Sequence, residues 1–220
     1  MDEQLKELRS RLRLSMNGVV STSMREQGIV YKLNFGVSLP KIKEIAADFN
    51  KNAAFAERIW SEDVRELKII ATLLYPQEQF LPEQAERWVR DIRHQEIAEQ
   101  FSANLLQHLP YAHQLAALWI SCEEEFTQVT GFLLYTRLFA RGYMAGKAEA
   151  ILLLEEARRI MDAGISRKQC AAILALKRYG RQNKKQAQEV LHQLSDYSQS
   201  VSPEQQEFYN DLYFEFEYYH

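Results

Sequence analysis

The sequence predicts an all-α chain. Three observations carry that expectation: apolar residues recur at spacings of three and four almost throughout, no segment sustains the period-two alternation of a half-buried strand, and breakers are few, with 8 glycines and 5 prolines in 220 residues. At 46% hydrophobic residues the chain can fill a sizeable core, and its length suits one large domain or two small ones.

Leu5, Leu8 and Leu12 set the first helical stripe. Ser38, two residues before Pro40, marks a helix start, after which Ile42, Ile45, Ala46 and Phe49 line one face. Phe55, Ile59 and Trp60 give a short helix. Val64, Leu67, Ile70, Ala71 and Leu74 give the next, which Pro76 stops because the residue before a proline is pushed out of the helical region. Pro82 opens a helix bearing Ala85, Trp88, Val89 and Ile92. In the following stretch Ile97, Phe101, Leu105 and Leu109 are spaced by four as one buried stripe up to Pro110, with Glu96 and Glu99 off that stripe. Further helices are predicted through 115–120, 126–139, 147–161, 166–179 and 184–194, with Gly164 and Gly180 as C-terminal stops. The SPEQ run at 202–205 has capping-box spacing with proline at the first helical position, and Phe208, Leu212 and Phe216 form the stripe behind it.

About a dozen helices joined by short loops predict an α-α superhelix, a HEAT-like helical-repeat solenoid in which each pair packs on the next. A globular bundle is the structural alternative. The expected organisation is a single solenoid domain over 1–194, with an acidic, aromatic helix at 195–220 packed on the same domain.

Several function classes are excluded on chemistry. No apolar run approaches the roughly 20 residues of a membrane span, and the charged opening MDEQLKELRSRLRL lacks the apolar core of a secretory signal, so a cytoplasmic location is expected. Cys122 and Cys170, 48 positions apart, make neither a disulfide framework nor a zinc site and are expected as buried, reduced thiols. His108 and His113 flank Pro110 with no acid or thiol at ligand spacing, so no metal is expected. Glycine-rich phosphate loops and nucleophile-elbow serines are missing, and no cofactor is expected.

The net charge of −3 hides a strong asymmetry. Residues 1–136 carry −4, residues 137–185 carry 12 Lys+Arg against 4 acids, or +8, and residues 186–220 carry no Lys or Arg and 7 acids, or −7. A basic segment beside an acidic tail invites an anionic partner, although a solvated basic helix face is the commoner meaning of such a run. Arg137 and Arg141 end one helix, while Lys177, Arg178, Arg181, Lys184 and Lys185 surround a helix end and loop, as groups that contact nucleic-acid phosphates do. Two roles are open to the tail: a capping helix of the solenoid, or a cover over the basic residues when nucleic acid is absent.

Four stretches then carry a resemblance. NFGVSLPKIKEIAADF at 34–49 is similar to the opening of the bacterial DNA alkylation repair enzymes, the HEAT-like alkylpurine DNA glycosylases, at Gly36, Val37, Pro40, Lys43, Ile45 and Ala46. AERIWSEDVRELKIIATLL at 56–74, WVRDIRHQEIAEQFSANLL at 88–106 and LALKRYGR at 174–181 resemble later helices of that family in the same order, covering roughly residues 30–190. The resemblance implies a protein that grips duplex DNA, alkylated DNA included, on a basic concave face and removes N3- or N7-alkylated purines without metal or cofactor. An alkylated purine is cationic and leaves readily, so the work is to stabilise the positive sugar that develops, which a nearby carboxylate can do. The catalytic aspartate of the family pattern matches Glu99, and the tryptophan four residues before it matches Gln95. The family's later Trp-x-x-Arg becomes Leu174 and Lys177, and a further arginine falls at Val129. The alternative is a non-catalytic HEAT-like scaffold that meets a protein partner through its solenoid surface.

Overall fold

A computed structural model describes residues 2–164 and 166–220. Among them are thirteen α helices, three short 3-10 turns and a single isolated bridge between Leu33 and Val64, so the all-α expectation holds. The chain divides into two compact units, residues 1–109 and 110–220.

The first unit contains α1 (Asp2–Leu14), α2 (Gly18–Glu26), α3 (Leu39–Ala47), α4 (Ala53–Trp60), α5 (Arg65–Leu74), α6 (Pro82–Arg90) and α7 (Gln95–Asn104). The stripe leucines of α1 are all buried. The stripes had not pointed to α2, and the reason is physical: it buries only Ser21 and starts because the Asn17 side chain accepts the Val20 N–H at 3.1 Å. Asn52 caps α4 likewise, accepting from Phe55 at 2.8 Å. The centre of the unit is aromatic. Trp60 and Trp88 stack with ring centroids 4.1 Å apart and planes 3° off parallel, and Tyr75, Phe80 and Phe101 pack edge-on or tilted around them.

The stripe expected to run unbroken to Leu109 is interrupted. Helix α7 stops at Asn104, Leu105 leaves helical geometry with φ −126° and ψ −60°, and Leu106–His108 tightens into a 3-10 turn ahead of Pro110. Ile97, Phe101, Leu105 and Leu109 are nonetheless all buried.

A buried charge cluster joins the helices of this unit to the chain segment that enters α3. Glu66, fully buried, accepts the backbone N–H groups of Phe35 and Val37 at 3.2 Å each. Arg65, 2% exposed, donates from Nη1 to the Val37 carbonyl at 2.8 Å and to Glu66 at 3.0 Å. Its Nε and Nη2 form a fork on the two oxygens of Glu96 in α7, at 2.7 and 2.6 Å. Burial opposes the guanidinium charge, but the hydrogen bonds and charges of Glu96 and Glu66 outweigh it and hold the Arg65 pKa above its ordinary value. Gly36 makes the tight passage possible: its φ is +67°, and a Cβ there would lie 2.2 Å from the Asn17 carbonyl oxygen.

The second unit contains α8 (Ala112–Ile120), α9 (Glu125–Ala140), α10 (Lys147–Ala163), α11 (Ser166–Gly180), α12 (Lys184–Gln193) and α13 (Pro203–Tyr219). Helix α9 is buried along most of its length because α8 and α11 pack against it, with Trp119, Phe132, Tyr135 and Tyr179 in the core between. Gly164, at φ +70°, ends α10 where a stop was expected. The SPEQ signal also holds, since the Ser202 hydroxyl accepts the Gln205 N–H with Pro203 as the first helical residue, and Leu212 and Phe216 are buried behind it. The cysteine expectation needs correcting. Both are free, but Cys170 is exposed and Cys122 half-buried, because the packed side of α11 is taken by Ala171, Ala172, Ala175 and Leu176.

The charge cluster sets a clear expectation for stability. Arg65→Met leaves two acids, one fully buried, without their cation, and removing one partner of a buried pair costs about 3–5 kcal/mol. Urea unfolding should show that loss; a change below about 1 kcal/mol would mean the cluster holds nothing together.

Candidate nucleic-acid interface and the Glu99 helix

In the first unit the two residues expected from the family pattern lie together at the start of α7. Gln95 is the first residue of the helix, and its side-chain amide donates to Glu99 Oε1 at 2.9 Å; both side chains are half-buried. Glu96, between them, turns the other way onto Arg65. One helical turn thus carries two glutamates with different work: Glu96 locks the core, and Glu99 holds a neighbouring amide.

Sequence reasoning had not pointed to a recess of about 430 Å³ in this unit, lined by Tyr31, Asp63, Lys68, Asp91, Arg93 and His94 among others. Lys68 donates to the Trp60 carbonyl at 2.9 Å and sits 4.6 Å over the Trp60 ring, while Trp60 Nε1 donates to Asp91 at 3.1 Å. Burial lowers the Lys68 pKa, against the attraction of Asp91 and Asp63. Burial also pushes the Tyr31 hydroxyl well up, with the Glu96 charge adding to it, and its ring packs on His94 at 4.5 Å. These contacts tie the 30–31 segment to the start of α7, where His94 Nε2 lies 2.9 Å from the Val30 carbonyl oxygen.

The second unit holds all seven cations expected to contact phosphate, and it sorts them by partner. Lys177 pairs with Asp211 at 2.6 Å and Glu215 at 3.8 Å, and Arg181 bonds Glu215 through both Nε and Nη2. Helix α13 therefore occupies two of the seven. Lys185 approaches Glu189 only at 3.9 Å along its own helix, and Arg141 at the C-terminal end of α9 is engaged within the protein. Arg137, Arg178 and Lys184 are exposed, with no ion-pair partner among the described residues. Sequence reasoning missed Asp211 and Glu215, although a signal existed: two acids four apart face two cations four apart, 34 positions upstream.

Lys184 and Lys185 are the first two residues of α12, whose first turn has no acid. The aligned peptide dipoles make that end positive already, so the lysines add charge where acids would be stabilising. The Asn183 side chain accepts the Gln186 N–H there, and an anion would offset the remaining positive charge.

The model of the DNA alkylation repair enzyme family matches residues 8–204. The chain belongs to that family. Comparison with curated proteins finds no match. Among solved structures, one described as "a new family of proteins related to the HEAT-like repeat DNA glycosylases with affinity for branched DNA structures" superposes with a TM-score of 0.74 at 15% identity, covering 86% of this chain and 81% of that one. That likeness establishes a HEAT-like repeat fold for this alkylation repair family member, the fold its helical spacing predicts.

In this family member α13 is seated by a close approach at Gly180. A Cβ there would lie 2.3 Å from the buried Phe216 ring, so no side chain fits between α11 and α13 at that point. Gly180→Ala is expected to overpack the contact, costing about 1–3 kcal/mol, and to expose α13 to limited proteolysis. Unchanged stability and cleavage would show that the two helices are not packed this closely.

Proposed function

We propose that this alkylation repair family protein binds DNA, duplex and branched, through the phosphate backbone, using the open cations of its second unit. The observation that carries the reading is the group Arg137, Arg178 and Lys184: exposed, without ion-pair partners among the described residues, and drawn from the +8 block. The charge at the start of α12 supports it, because two lysines on a helix N-terminus are unfavourable without an anion. Family membership and the affinity for branched DNA described for the similar structure point the same way. Backbone binding is independent of sequence and suits branched substrates, since phosphates are common to every arm.

Base excision is not part of the reading. Stabilising a developing sugar cation needs a carboxylate aimed at it and a flat surface to position the sugar. In this chain the position of the family's ring holds Gln95, whose amide already donates a hydrogen bond to Glu99.

Two measurements test this. Arg178→Gln with Lys184→Gln removes two phosphate contacts, so affinity should fall and the slope of log K against log salt should become shallower by about 1.8, at roughly 0.9 per phosphate on duplex DNA. An unchanged slope would place the DNA elsewhere, and no binding to any DNA at low salt would leave the protein-interaction scaffold. Methylated duplex at enzyme excess should yield no free 3-methyladenine or 7-methylguanine. Release by the wild type that disappears in Glu99→Gln would instead make Glu99 a catalytic carboxylate.

A further inference from the structure

We infer that α13 is a displaceable acidic cover that competes with DNA phosphate for Lys177 and Arg181, so that the full chain binds DNA in a partly self-blocked state. The inference rests on the DNA-binding reading above and deepens it.

Asp211 and Glu215 stand one helical turn apart on α13 and meet Lys177 and Arg181, one turn apart on α11. The match goes beyond charge. Arg181 also lies 4.3 Å over the Tyr219 ring, and the terminal His220 imidazole sits 2.9 Å from the Gly180 carbonyl oxygen. A carboxylate pair on a lysine and an arginine presents to those cations much the same oxygens as a pair of phosphates, so exchange of one for the other replaces like with like.

Three features make the cover exchangeable rather than fixed. The anchorage is narrow: Leu212 and Phe216 are the buried residues of α13, while Tyr213, Phe214 and Tyr218 face solvent. Asp211 keeps about half of its side-chain surface in water, 53%, so its pair with Lys177 is screened and weak, while Glu215 is the more enclosed of the two acids. The tail from 186 onward carries no cation, so no attraction of its own to DNA offsets the repulsion between its acids and an arriving backbone.

The test compares three full-length proteins on a fluorescent branched duplex across a salt series. Asp211→Asn with Glu215→Gln frees both cations and keeps Leu212 and Phe216. Freeing both cations should raise affinity about threefold to tenfold and steepen the salt slope by about 1 to 2. Glu207→Gln with Glu217→Gln removes the same charge from exposed acids of α13 that have no ion-pair partner among the described residues, and should change the affinity less than twofold. Equal tightening by both variants would reduce the effect to net charge and overturn the inference. An affinity equal to wild type in the first variant would overturn it while leaving DNA binding intact. No binding by any of the three removes the binding reading and this inference with it. Hydrogen exchange of the wild type supplies a check that needs no variant: α13 amides should lose protection when saturating DNA is added, and unchanged or greater protection would show that the helix stays seated.

Discussion

In the first unit, everything near the candidate site turns on a guanidinium that water does not reach. Arg65 uses its planar fork on Glu96 and its remaining nitrogen on Glu66 and the Val37 carbonyl, so one side chain joins α5, α7 and the segment leading into α3. A lysine could not do this, since a point charge cannot satisfy two oxygens of one carboxylate and a carbonyl in fixed directions. The consequence reaches Glu99. Once Glu96 is drawn inward and Ile97 and Phe101 are in the core, the rotation of α7 about its axis is set, and Glu99 is left beside Gln95 on the remaining side.

The second unit uses the same chemical pairs with less buried cations. Arg181 and Lys177 face carboxylates as Arg65 does, but the two cations keep about a fifth of their side-chain surface in water and Asp211 about half, where Arg65 keeps 2%. In the buried cluster, loss of either sign leaves a charge that the interior cannot solvate. At the α11 and α13 contact, water or another anion can replace the half-exposed Asp211 carboxylate at little cost. Burial of the cation, more than distance, sets the Arg65 cluster apart from the α11 and α13 pairs.

Periodicity made the helices and most of the core legible, because a stripe such as Leu5, Leu8, Leu12 states both the helix and its inward face. It passed over α2, which rests on the Asn17 cap, and it ran α7 through to Leu109, because the four spacing continues in sequence where the backbone has already tightened. The two glutamates of α7 show the deeper limit. Both sit off the apolar stripe, and nothing local distinguishes them; only Arg65, 31 residues earlier, selects Glu96 for the core. Cys170 was misread for a similar reason, since alanines had already filled the packed side of its helix. Family resemblance supplied Glu99 and Gln95 as positions of interest, which periodicity could not have done.

The +8 charge of residues 137–185 is therefore a poor measure of what a polyanion meets. Arg158 is held by Asp196 through two nitrogens, Arg159 by Glu156 and Arg167 by Glu125, and α13 takes Lys177 and Arg181. A phosphate approaching these groups gains attraction only after the resident acid gives way, whereas at Arg137, Arg178 and Lys184 it displaces only water and counterions. On the proposed reading, the place of binding follows from which cations are left open, and its strength from how readily α13 yields the rest.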